Sequence, residues 1–279
     1  MKYSLMILLF MLSSRVMAAQ FTSSIHSIDL GKSKESHLIR FDNGRVTFVR
    51  SGDSKLIEAL VTTSERQEIV SVNVNSENTI IAVQSVADSD IDIDAGTWSD
   101  NPDPYQPAVV KNTNAALKIF NKMRKDYTKK GECYNRAHIW SYEEYQRSGF
   151  NSMKIFMFFT ERYIRKYKFH WWFHVTPMTY IVSFKSPRTL DRRYTSGPRQ
   201  TKTWSNVFVK SQRTCKKVEK FDDFWLNQQS QDCYHIHASM YYVIPRDLEK
   251  RDLTGKEKNQ FSEKEIRRAY RNGFNKIDM

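Results

Sequence analysis

Cysteine is scarce in this chain. Cys133, Cys215 and Cys233 are the only three in 279 residues, and no CxxC or HExxH spacing occurs. The compact zinc-site patterns are therefore absent. The looser sets are His235 and His237 on a strand face with Cys233, and His170 with His174 four apart. Since Cys233 has a better use in a disulfide, neither a metal nor another cofactor is expected. Past the amino terminus no run approaches the ~20 apolar residues that cross a bilayer. No internal repeat is present either. Acid is in short supply: 44 Lys and Arg face 31 Asp and Glu, a formal charge of +13.

The amino terminus does carry an apolar run. Lys2 precedes residues 5–12, and Val16 and Ala18 then stand at the −3 and −1 positions of a cleavage site. Residues 1–18 read as a secretory signal, too short for a membrane span, although Arg15 is out of character there. The mature protein is expected to be secreted or periplasmic, in an oxidising compartment. An odd cysteine count there leaves one thiol over. Cys215 and Cys233, the pair nearest in sequence, would close a loop worth ~3 kcal/mol in the chain-entropy model. Cys133 is then free, and counting alone leaves two readings open: a nucleophile or a small buried hydrophobe.

Charge divides the remainder. Residues 19–100 hold 7 basic and 13 acidic side chains, a net −6, whereas residues 101–279 hold 35 and 18, a net +17. Two mutually attracting units follow. In the first, HLIRF, RVTFVRS, EIVSVNV and NTIIAVQSV alternate polar and apolar residues between turn signals, which predicts a small, mostly β unit with one helix near 54–63. The acidic, proline-bearing stretch 88–107 reads as a linker, placed at 101–110. Its Asp90, Asp92 and Asp94 have the opening rhythm of a calcium loop, but Ala95 stands where glycine is needed and no Glu fills position twelve. A solvated linker open to proteolysis is the better account.

The second unit, 111–279, is expected to be α+β, with helices first and then an antiparallel sheet. Asn112 or Asn114 can cap a first helix, and Cys133 opens a second that stops at Gly149. Strands are expected at 153–160, 169–175, 178–184, 204–210 and 234–244, and a basic amphipathic helix at 262–274. The scattered basic residues lie among aromatics that a core requires, without a nucleic-acid or membrane motif. They are expected to dock the acidic first unit in a monomer.

Chemistry concentrates at three places. A thiol at a helix start lies in the partial positive field of the first-turn N–H groups, which favours a thiolate and supplies donors to an oxyanion. His174 follows in an aromatic-rich strand, and Asp191 lies 17 residues further on. A nucleophile, a base and an acid that orients the base are the parts of thiol-based acyl transfer. A histidine in such surroundings is, on its own, more often a satisfied core residue; only the combination argues otherwise. His138, turned away from Cys133 around the helix, is read as structural, with Arg136 bracing the same region.

ECYNRAH around the thiol, WWFHV around the histidine and LDRRYTSGPRQTKTW around the acid resemble the secreted bacterial protein-glutaminases, over roughly residues 110–245. The resemblance implies a papain- or transglutaminase-like core, a small β pro-domain ahead of it, and deamidation of glutamine side chains in proteins. It gives Cys133 the nucleophile role, His174 the base and Asp191 the orienter, with Trp171 or Trp172 lining the substrate slot. Residues 19–100 correspond to an inhibitory pro-region by position and charge. One departure stands out: Arg192 and Arg193 follow the acid where the family has a small Pro-Ser step, and two cations there would compete for the carboxylate. A cysteine protease or a transglutaminase-like acyl transferase would use the same triad. A secreted basic binding module without catalysis is the reading from another class.

Overall fold

The computed structural model describes residues 19–30, 34–86, 98–99, 105–129, 131–182 and 186–275. The signal sequence, the calcium-like acids and linker residues 101–104 lie outside the described residues. The first unit contains β1 (Ala19–Asp29), β2 (Ser36–Phe41), β3 (Val46–Arg50), α1 (Ser54–Glu65), β4 (Ile69–Val74) and β5 (Ile80–Val86). Its sheet is antiparallel, in the order β3-β2-β1-β4-β5. Alternation drives this: Phe21, Ile25, Ile39, Phe41, Val70 and Val72 are buried together with Leu60 of α1.

After β6 (Trp98–Ser99) and β7 (Val109–Val110) come α2 (Thr113–Lys122), α3 (Cys133–Ser148), β8 (Met153–Phe159), α4 (Glu161–Tyr167) and β9 (Phe173–Ile181). The chain continues through β10 (Ser186–Thr189), β11 (Arg199–Gln200), α5 (Thr201–Ser205), β12 (Lys216–Lys217) and α6 (Phe221–Leu226). It ends with β13 (Cys233–Ser239), α7 (Pro245–Thr254), β14 (Glu257–Lys258) and α8 (Glu263–Gly273). The second sheet runs β11-β10-β9-β8-β13-β12, antiparallel except where the two-residue strands β12 and β7 join it in parallel.

Local chemistry sets the helix ends that matter. The Asn112 side chain accepts from Ala115 N and caps α2. Gly149 closes α3 in the left-handed region, φ 66°. Cys215 and Cys233 form a disulfide, and Cys133 is a free, buried thiol.

Four strand expectations change. Residues 169–175 and 178–184 are not two strands: a single strand, β9, runs through Pro177, which lies opposite Lys154. A proline inside a central strand is rare enough to have split the reading. Residues 161–167 before it form α4, capped by Thr160, whose hydroxyl accepts from Tyr163 N. Around 204–210 there is no strand; α5 and turns place Trp204 and Val209 in the core. The last strand stops at Ser239, because Asp247 accepts from Val243 N (2.6 Å) and Ile244 N (3.2 Å) and starts α7 at Pro245.

The two units share a core. Leu38 and Val46 of the first sheet are buried against Trp172 and Phe173 of the second unit. His26 packs at a tilt on Trp172 with ring centroids 4.5 Å apart, and Arg40, buried, lies 4.9 Å over Trp225. Asp42 takes Ser24 Oγ (2.6 Å), His26 Nδ1 (3.0 Å) and Arg246 Nη2 (3.0 Å), so charge as well as apolar contact binds the units.

Candidate active site

The amino end of α3 faces the start of β9. Cys133 is the first helical residue, 5% exposed. The first intrahelical bond runs from Arg136 N to Glu132 O (3.3 Å), so the earlier amides have no helical acceptor and form a ready oxyanion cradle. Glu132, the N-cap residue, is bonded by the Tyr134 hydroxyl and does not cap the helix with its side chain. Arg136 reaches back to the carbonyl of Gly131 and so ties the preceding loop to the helix.

His174 and Asp191 meet across the sheet. Imidazole Nε2 lies 2.7 Å from Asp191 Oδ2, and the carboxylate is 1% exposed. The other ring nitrogen, Nδ1, is left for the thiol, and Cys133 is among the groups that raise the charge of the imidazole. Burial opposes that charge, but Asp191 and Cys133 outweigh it and push the His174 pKa up to about 9. Burial likewise works against the Asp191 carboxylate, yet His174, the Trp204 indole and the Arg136 charge hold its pKa below the usual range. The imidazole is wedged by rings: Phe208 at 4.4 Å, Tyr194 edge-on at 5.3 Å and Trp204 at 5.7 Å.

Arg192 and Arg193 do not compete for Asp191. Arg192 lies 4.6 Å over the Phe120 ring, and Arg193 lies 4.8 Å over that of Tyr127. The backbone turns there instead, with Tyr194 N and Thr195 N both donating to Asp191 O.

A cleft of about 270 Å³ opens over Cys133 and His174, walled by Trp171, Phe173, Tyr194 and Phe208. Trp171 therefore stands at the slot. Trp172 does not: it is fully buried, its Nε1 donates to Phe41 O (2.8 Å), and its ring packs on Phe158 and Phe173. Of the two tryptophans left open for the slot, both precede the strand, which starts at Phe173, so strand alternation does not decide between them. His170 is exposed and contributes only its carbonyl, which accepts from Val46 N.

Other histidines serve elsewhere. His138 is buried against Lys154 Nζ (2.8 Å), and burial drives its pKa well down. His235 and His237 stack 5.1 Å apart, with His237 Nδ1 3.1 Å from the Tyr180 hydroxyl. Burial lowers their pKa values to about 4 and about 3. Among the described residues no three His, Cys, Asp or Glu side chains gather into a metal-binding group.

The first unit lies across this cleft. Trp172 N donates to Gly44 O (3.0 Å), Val46 N donates to His170 O (3.1 Å), and Arg45 bridges to Trp171. Arg45 enters the cleft itself, with its guanidinium over Phe21 (4.8 Å) and Trp171 (5.9 Å). The residue the sequence reading left without a role is Trp204. Its Nε1 donates to Asp191 Oδ2 (2.8 Å), and the available signal was the need of a buried indole for a partner.

Comparison with known proteins places this geometry. A family described as glutaminase matches residues 109–208, the stretch that holds Cys133, His174, Asp191 and Trp204. Two solved structures are similar: an A47Q2 mutant of pro-protein-glutaminase (14% identical, TM-score 0.52, covering 81% of this chain and 85% of that one) and pro-protein-glutaminase (14%, 0.49, 81% and 84%). The first likeness is one of fold. No curated protein matches the chain.

Proposed function

We propose that this chain, which belongs to the glutaminase family through residues 109–208, hydrolyses the carboxamide of glutamine side chains in proteins or peptides, yielding glutamate and ammonia. The observation that carries the reading is a free thiol at a helix start that shares a cleft with His174, itself paired with Asp191, inside the matched segment. In the reaction, the Cys133 thiolate attacks the side-chain carbonyl carbon while the first-turn amides of α3 hold the oxyanion. His174, protonated at Nδ1, gives that proton to the departing nitrogen, and ammonia leaves a thioester. Water then surrenders a proton to His174, attacks the thioester, and returns the thiol with glutamate as product. Asp191 fixes the imidazole through Nε2, and Trp171 walls the slot for an unbranched side chain.

The first unit acts as an intramolecular inhibitor. Its turn around Gly44 occupies the approach to Cys133, and the opposed charges of the two units support that docking. The site is complete within one chain, so a monomer suffices. Export is supported by the signal-like residues 1–18 and by the disulfide. Among the described residues no helix is long and apolar enough to cross a membrane.

The test is ammonia release from a glutamine-rich protein by the chain cut within residues 87–104, with uncut chain, Cys133→Ala and Cys133→Ser as controls. Ammonia from a substrate that stays intact in mass spectrometry, lost in both variants, is the expected result. Cleaved substrate without ammonia would establish a protease, and amine incorporation a transglutaminase. Salt-dependent polyanion binding indifferent to Cys133, with no turnover, would establish a binding module.

A further inference from the structure

The mouth of the cleft is ringed by cations that the reaction does not use. Lys129, in the loop before α3, and Arg193, just after Asp191, both line it and both are exposed. Neither has a salt-bridge partner among the described residues. Both are anchored at their base: the Lys129 loop is tied by Thr128 N to Gly273 O (3.0 Å), and the Arg193 guanidinium lies 4.8 Å over the Tyr127 ring. Beneath them Arg136 is buried and adds its charge to the same region. The nearby acid is Glu132, which is engaged by the Tyr134 hydroxyl and is not among the residues lining the cleft. The docked first unit offers Arg45 here, not a carboxylate. Unanswered like charges at the rim of a low-dielectric cleft focus a positive potential on whatever enters it.

From this we infer that Lys129 and Arg193 form a carboxylate-binding subsite, which directs the enzyme to glutamines flanked by Asp or Glu in acidic protein segments. The inference rests on the deamidation reading and names the substrate class of that site. Two exposed ion pairs raise kcat/KM for an acidic peptide by about fivefold over a neutral one at low ionic strength. Salt shortens the screening length to ~3 Å at 1 M and removes the advantage.

The experiment uses the full chain cut within residues 87–104 and freed of its first unit. Ammonia release is followed on three peptides that share one glutamine core and carry Glu, Ser or Lys on both flanks, at low and high salt. Expected is the order Glu above Ser above Lys, a gap that closes at high salt, and a Glu-to-Ser ratio that falls toward one in Lys129→Gln/Arg193→Gln. Arg267→Gln, which removes a cation paired with Glu263 on α8, should keep the ratio. Equal rates on all three peptides, or a preference that survives both salt and the double variant, would overturn the subsite alone. No ammonia from any peptide, the neutral one included, would overturn the deamidation reading and the subsite with it.

Discussion

Trp204 donates its indole N–H to Asp191 Oδ2 over 2.8 Å, and that same oxygen faces His174 Nε2. With Asp191 almost wholly buried, these two donors, together with the charge of Arg136, keep a carboxylate charged in the core. Trp204 is thus a positioning residue: it holds the acid that holds the base. Trp204→Phe keeps the ring against Phe208 and deletes the donor. Loss of a hydrogen bond to a buried charge costs about 1.5–3 kcal/mol, and kcat should fall by about tenfold or more with KM little changed. Removing a donor to the ionised form raises the Asp191 pKa, so the acidic limb of kcat/KM should move to higher pH. A merely structural tryptophan would leave that limb in place.

The His174 charge predicts an alkaline limit. Its pKa stands at about 9, so imidazolium is the resting form at neutral pH and the departing nitrogen finds its proton. Activity should decline as pH rises through about 9. The same shift is a stability statement: the folded-state pKa lies above the unfolded value of about 6.5. The associated stabilisation is therefore fully present below pH ~6.5 and lost as pH climbs through about 9. In Asp191→Asn the raising charge is gone and burial dominates, which should draw the alkaline limb downward and flatten the decline of Tm from pH 6.5 to 9. An unmoved limb would mean another group limits the rate.

Much of this site was legible in the sequence. Cys133 at a helix start could be seen because Gly149 marks the end of the helix it opens, and the Cys215–Cys233 pairing followed from parity and proximity. Asn112 announced its helix as a cap. What was hidden depended on tertiary context. Pro177 disguised β9 as two strands, and the choice between Trp171 and Trp172 waited on the first unit, whose Phe41 O accepts from the buried Trp172. Trp204 looked like the start of a strand because Val207 and Val209 alternate within the run that it opens, whereas the indole answers a carboxylate thirteen residues away. No local pattern could show Arg45 beside Trp171, a contact between separate units.

The disulfide should matter for stability more than for chemistry. It closes a loop of 18 residues that carries α6, whose Phe221 and Phe224 are buried against Phe158. The chain-entropy model assigns such a crosslink ~3 kcal/mol. Cys215→Ala/Cys233→Ala should lower Tm by several degrees in calorimetry, and at temperatures where the variant stays folded it should retain most of its ammonia release. Activity lost in a folded variant would place the loop in the reaction.

Gly44 tests how the first unit closes the cleft. Its φ of +89° is a conformation that side-chain-bearing residues rarely adopt. A Cβ there would also stand 3.2 Å from both Phe173 Cε1 and Trp171 Cε3. The carbonyl of this residue is the acceptor for Trp172 N, so strain at Gly44 acts directly on the docking contact. Gly44→Ala should therefore loosen the turn while leaving the catalytic residues untouched. The uncut variant should release ammonia and label Cys133 with an alkylating probe faster than the uncut parent, and the difference should vanish once both are cut and freed of the first unit. Equal labelling of the two uncut chains would show that access to Cys133 is governed elsewhere than at this turn.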